Sequence, residues 1–257
     1  MSSLALVSAP GVDLSIVIPA YNEEQRIAPT LERLHRFLSA QPYRYEIVVV
    51  DDGSADGTAD LVERMAADLP GLRCIRSTPN RGKGSAVRLG MLDAHGAIRL
   101  MCDADGSMPP EEMPKLLKQI ATGAIDIAIG SRYVDGAATG ERQPLYRRVW
   151  SRIANRAVQA ALVRGVRDTQ CGFKAFTAPA AMDLFARARI DGWAFDLEIL
   201  ALARRRGMAI AEVGVAWTDD KRSRVNPLKD LWKVIREAAT IRWNLSRGTY
   251  GQLAPAR

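Results

Sequence analysis

The chain has 257 residues, 47% of them hydrophobic, which suffices for one large α/β domain or two small ones. Its three cysteines, Cys74, Cys102 and Cys171, lie far apart with no CxxC spacing, which excludes a disulfide framework and a zinc cluster and fits a reducing cytoplasm. The net charge of +7 is segregated: residues 1–131 carry 13 Lys+Arg against 17 Asp+Glu and residues 132–257 carry 23 against 12, a basic half suited to phosphorylated ligands or anionic lipid; no nucleic-acid-binding motif accompanies it.

The first segment, "MSSLALVSAPGVD", lacks the basic region and apolar length of a signal peptide, and no apolar run reaches membrane-spanning length, so a soluble or peripheral protein is expected. From residue 14 onward, short apolar runs alternate with helical patterns. "LSIVI" (14–18), "YEIVVV" (45–50), "RCIRS" (73–77), "AIRLMC" (97–102) and "IDIAIG" (125–130) read as strands, and "TLERLHRFLSA" and "TADLVERMAADL" as helices between them. Such alternation predicts a mostly parallel sheet flanked by helices, with ligands at the carboxyl ends of the strands.

Each strand end carries polar residues with a structural and a functional reading. After the first strand, Pro19 is followed by Tyr21, Asn22 and Glu23; Asn22 suits a helix N-cap, and Tyr21 equally suits stacking on a base. Asp51 and Asp52 end the second strand, where Asp56 or Thr58 can cap the next helix. Two adjacent carboxylates repel each other, however, and want a donor such as a nucleobase or ribose. "NRGKGSAVRLGM" sets Gly82, Lys83 and Gly84 at a helix start, where free N–H groups favour anions, without a Walker or Rossmann spacing. Asp103 and Asp105 end the fourth strand. They suit a turn before the helix that "PPEEMPKLLKQI" suggests, with Pro109 at its opening, and they equally suit Mg²⁺ or Mn²⁺. Arg132 ends the fifth strand and can grip a phosphate.

The second half reads as a helix over "PLYRRVWSRIANRAVQAALV", a short strand at "CGFKAF", a helix over "AFDLEILALARRRG", a strand over "MAIAEVGVAW" and a last amphipathic helix over "NPLKDLWKVIREAATIRWNL". That helix puts Leu228, Leu231, Trp232, Ile235, Ala239 and Leu245 near one face, for burial against the sheet or for docking on anionic lipid beside Lys229, Lys233 and Arg236. His35 and His95 are the only histidines, so Ser-His-Asp or Cys-His chemistry is not expected.

"IVIPAYNEE", "VVVDDGSADGT", "NRGKGSAVRLGM", "CDADG", "GSRY" and "DTQCGFKAF", in this order, resemble the family 2 glycosyltransferases of the GT-A fold, and within them the branch acting on dolichyl and polyprenyl phosphates. The resemblance covers roughly residues 13–225. It divides the chain into a tail (1–12), a GT-A domain (13–225), an amphipathic helix (226–246) and a second tail (247–257). By resemblance, Asp103 and Asp105 form the DXD pair on Mg²⁺ or Mn²⁺, with Asp105 the main ligand. Pro19, Tyr21, Glu23 and Asp52 hold the nucleotide, with Lys83 and Arg132 nearby. The implied reaction is inverting transfer of a hexose, with UDP-glucose favoured over GDP-mannose as donor, to polyprenyl phosphate, peripherally on the cytoplasmic membrane face. In the basic half, with Arg132 near the donor and Lys174 in "CGFKAF", the resemblance implies that Ser223 and Arg224 of the "KRSR" run (221–224) contact the acceptor phosphate, or the donor diphosphate while the loop is closed. Ser107 stands where related mannosyl enzymes often carry Gln, and the transmembrane helices common in membrane relatives are missing. The competing reading is transfer to a hydroxyl of a small acceptor or glycan, with Asp168, Asp196 or Glu198 as base. A nucleotidyltransferase would need a glycine-rich, Arg-containing loop that "IPAYNEE" does not supply.

Overall fold

The computed structural model describes residues 11–139, 162–163, 165–217 and 227–251. The first half forms β1 (Leu14–Ala20), α1 (Ile27–Ser39), β2 (Tyr45–Asp51), α2 (Thr58–Ala66), β3 (Leu72–Arg76), α3 (Lys83–Asp93) and β4 (Ile98–Met101). A 3-10 turn at Pro110–Glu112 then leads into α4 (Met113–Ala121), so the helix expected at Pro109 starts as a tighter turn. β5 (Ile127–Ser131), β6 (Ala138–Thr139), β7 (Lys174–Thr177), α5 (Ala178–Arg187), α6 (Phe195–Arg205), β8 (Ile210–Gly214), β9 (Ala216–Trp217) and α7 (Pro227–Ser246) follow. The helix expected over residues 144–163 lies almost wholly outside the described residues.

Seven strands form one sheet in the order β3-β2-β1-β4-β7-β5-β8. Leu14, Ile16, Val17 and Ile18 of β1 are completely buried, because helices cover both faces and leave no solvent side on which to alternate. All neighbouring pairs are parallel except those of β7, which runs antiparallel to both β4 and β5. One reversed strand decides where the site forms. The start of β7, at Lys174, pairs with Met101 at the end of β4 and Ile129 near the end of β5. The segment leading into β7 therefore arrives at the same edge as the carboxyl ends of β1, β2, β4 and β5.

In the last third of the chain one expectation is corrected and one open choice is narrowed. "MAIAEVGVAW" is not one strand: β8 joins the large sheet, and β9 leaves it at Val215 to pair with β6. The last helix packs through Val234, Ile241 and Leu245 rather than through the Ile235 and Ala239 face, which is exposed. The side chains of Leu228, Leu231 and Trp232 lie outside the described part. Beyond the helix, the stretch expected as a tail contributes a buried residue, Tyr250, whose hydroxyl donates to Glu198 at 2.7 Å.

Candidate functional site

The strand-end turns after β1 and β2 are stitched together. Asn22 adopts the left-handed conformation (φ 55°) that Asn tolerates, and its Oδ1 accepts from the Ala55 N–H at 2.8 Å while its own N–H donates to Ser54 Oγ at 2.9 Å. The expected N-cap role is thereby corrected, since α1 starts only at Ile27. Glu23 is fixed by the Thr58 hydroxyl, which accepts from its N–H at 2.8 Å, and by Arg26, whose Nε donates to its carboxylate at 2.7 Å. Pro19 is partly buried within β1, and Tyr21, 48% exposed, stands at the rim.

Asp51 and Asp52 find partners inside the chain. Both Asp52 oxygens are occupied, Oδ1 by the Arg81 N–H at 3.1 Å and Oδ2 by the Gly82 N–H at 2.7 Å, and burial with the neighbouring Asp51 charge raises its pKa against those bonds. Asp52 thus anchors the loop that opens α3, so an internal partner already answers the repulsion of the adjacent carboxylates. Asp51 Oδ2 accepts from the Ser54 N–H at 3.1 Å, and its buried Oδ1 has no hydrogen-bond partner among the described residues.

The loop anchored by Asp52 delivers Lys83 to the acidic pair. Lys83 Nζ lies 2.6 Å from Asp103 Oδ1, with its side chain only 20% exposed. Burial disfavours its charge, but Asp103, Asp196 and Asp105 outweigh that cost and raise its pKa. Asp103 in turn lies against Gly172, from the segment that β7 brings to this edge. A Cβ at Gly172 would collide with the Asp103 carboxylate, so any larger residue there would displace that carboxylate. Asp105 Oδ1 accepts from the Ser107 N–H at 2.9 Å, leaving its second oxygen without a hydrogen bond among the described residues. The pair already draws a cation from within the chain, and one or two carboxylates are what Mg²⁺ usually takes from a protein. The residues present therefore fit a divalent metal.

Five other expected site residues have partners within the chain. Asp168, fully buried, accepts from Arg132 Nε at 2.8 Å, from Nη2 at 2.9 Å and from the Arg132 backbone N–H at 3.0 Å. The same guanidinium lies over the rings of Tyr133 and Trp217. Arg132 and Asp168 hold one another, and this pairing is the arrangement from which either a phosphate grip or a base would have to act. Lys174, 1% exposed, donates to Asp196 Oδ1 and to the Cys171 carbonyl, each at 2.5 Å, so it cannot reach an acceptor anion. Glu198, also fully buried, accepts from the N–H groups of Arg189 and Ile190 and from Tyr250. None of the three carboxylates considered as a base is free. Arg224 and Ser223 lie outside the described residues.

One neighbour of Lys83 went unnoticed in the sequence. Trp193 lies in a turn before α6 with its indole over Lys83, 5.4 Å from Nζ to the ring centroid. Its only signal was a large aromatic in the short polar turn "DGWAF".

The profile of the family described as "Glycosyl transferase family 2" matches residues 15–185. The chain is 40% identical over 215 residues to a dolichyl-phosphate beta-glucosyltransferase of Trichomonas vaginalis, covering 80% of this chain and 64% of that protein. It is 35% identical to the enzyme of the same name from Dictyostelium discoideum (92% of this chain, 76% of the relative) and 34% identical to that of Homo sapiens (93% and 80%). Among solved structures, mannosyl-3-phosphoglycerate synthase from Rubrobacter xylanophilus superposes with a TM-score of 0.70 at 19% identity, over 95% of this chain and 77% of that one. Glucosyl-3-phosphoglycerate synthase from Mycobacterium tuberculosis, in complex with Mn²⁺, UDP-glucose and phosphoglyceric acid, does so with 0.62 at 21%, over 90% and 78%. The architecture is the GT-A fold, and with the profile spanning most of that domain the chain belongs to glycosyl transferase family 2.

Proposed function

We propose that this glycosyltransferase moves glucose from UDP-glucose to the phosphate of a polyprenyl phosphate, dolichyl phosphate included, with inversion at the anomeric carbon. Relatives from three distant organisms share the name dolichyl-phosphate beta-glucosyltransferase, which supports the sugar and the acceptor. The Mn²⁺ and UDP-glucose complex of a structural neighbour supports the donor class. The observation that carries the reading is chemical. Lys83, Asp103 and Asp105 converge on one sheet edge, while Asp168, Asp196 and Glu198 are each buried and bound.

That arrangement suits an acceptor needing no base. A phosphate monoester is anionic at neutral pH, so its oxygen can attack the anomeric carbon directly, forming the new C–O bond as the bond to the leaving diphosphate breaks. Asp103 and Asp105 would hold a divalent cation, which supplies positive charge for the departing UDP. Lys83 offers a second positive group beside them. The exposed Tyr21 ring would stack on the base, and Pro19 and Glu23 would fix the turn that carries it. Ser223 and Arg224 are proposed contacts of the acceptor phosphate.

Attachment to a membrane belongs to the same proposal. No helix among the described residues is long and apolar enough to cross a bilayer. Ile235, Ala239 and Trp243 form an exposed stripe at helical spacing on α7, with Arg236 and Arg242 exposed beside it. Apolar and cationic side chains on one face suit the surface of an anionic bilayer, and the three free cysteines suit its cytoplasmic side. The acceptor anion is the feature to test. With UDP-glucose, polyprenol should be glucosylated at least about tenfold more slowly than polyprenyl phosphate, because it lacks both the anionic nucleophile and the charge-assisted contacts. Equal rates would instead support a hydroxyl acceptor served by a carboxylate base.

A further inference from the structure

Trp193 is 41% exposed, yet its loop is held on several sides. The Asp191 carbonyl accepts from the Ser85 N–H at 3.2 Å, and the Asp191 carboxylate pairs with Arg88 at 2.5 Å. The Ala194 N–H donates to Glu237 Oε2 of α7 at 2.8 Å. Gly192 lies so close that a Cβ there would strike the Glu237 carboxylate, and Ala194 and Phe195 are buried. An indole exposed by a loose loop would need no explanation. This one is held out from a braced loop, with the ammonium of Lys83 over its face and the Asp103 carboxylate 2.6 Å beyond that ammonium.

We propose that Trp193 is the platform for the transferred hexose. A pyranose presents a face of polarised C–H groups, which an electron-rich aromatic face attracts as it attracts the ammonium of Lys83. In a sugar nucleotide the hexose is one oxygen away from the second phosphate, and that phosphate belongs beside Lys83 and the acidic pair. The indole is therefore within reach of the ring and at the right end of the donor. An isoprenoid chain would want an apolar track, whereas Trp193 offers one ring-sized face beside Lys83, Asp191 and Gly192. The loop bracing means that the platform is set before the donor arrives, at no ordering cost on binding.

The proposal rests on the UDP-glucose reading, and its test separates the two. The full-length protein and its Trp193→Phe and Trp193→Ala variants would be titrated with UDP-glucose and, separately, with UDP, in the presence of Mn²⁺. Trp193→Ala should weaken UDP-glucose about threefold to tenfold and leave UDP unchanged, with Trp193→Phe intermediate. Indole fluorescence of the native protein should respond to UDP-glucose more than to UDP, and Trp193→Phe should lose that difference. Unaltered UDP-glucose affinity in a Trp193→Ala enzyme that still transfers glucose overturns the platform alone. Equal weakening of UDP and UDP-glucose, or a change confined to the KM for polyprenyl phosphate, also overturns it. A native protein that neither binds nor turns over UDP-glucose removes the donor reading and the platform together.

Discussion

Asp105→Asn should lower glucose transfer by about a hundredfold to a thousandfold while leaving the fold intact. The change removes a carboxylate that would hold the divalent cation, and preorganised positive charge beside a leaving diphosphate is typically worth that much. It does so without losing a buried partner, because the one bond Asp105 Oδ1 makes, to the Ser107 N–H, can equally be accepted by an Asn oxygen. Unfolding monitored by circular dichroism should therefore match the native protein, and UDP binding should lose its dependence on divalent metal. Transfer at the native rate by a folded Asp105→Asn variant would remove the acidic pair from the mechanism.

Lys174→Met is expected to act through stability. Lys174 and Asp196 are 1% and 5% exposed, and deleting the lysine strands a carboxylate whose burial already raises its pKa. Breaking a buried pair in this way costs about 3–5 kcal/mol, visible as a fall in the urea midpoint. Lys174→Met combined with Asp196→Leu should recover most of that loss, since two apolar groups leave no charge stranded. Activity should not return with it. Lys83 feels Asp196 directly, so the double variant loses part of the field that holds Lys83 charged beside the acidic pair. Full activity in the refolded double variant would reduce the pair to a structural role.

What could be read from the sequence follows from what each signal encodes. The five apolar runs of the first half are strands because nothing but a doubly covered sheet buries such runs, and their ends mark the ligand edge without knowledge of tertiary contacts. Asp103, Asp105 and Lys83 were legible for that reason. The direction of β7 was not. Four residues, "KAFT", carry no sign of whether they run with or against their neighbours, yet that reversal brings Gly172 against Asp103 and seals Lys174 beneath the sheet edge. The sequence shows Lys174 and Arg132 as cations of a basic half, and it does not show that each is paired with its own buried carboxylate. Asn22 was misread because a cap and a left-handed turn favour the same residue. The packing face of α7 stayed open between burial and exposure because Ile235 and Ala239 are as apolar as Val234 and Ile241, and hydropathy alone cannot tell a stripe facing the core from one left exposed.

The most direct test of the account is the product. Purified protein, UDP-glucose, a divalent metal and polyprenyl phosphate should yield a lipid heavier by one hexose residue, together with UDP in equal amount, as read by mass spectrometry. 3-Phosphoglycerate offered in place of the lipid should remain unmodified. Glucose appearing on 3-phosphoglycerate while polyprenyl phosphate stays unchanged would contradict the account.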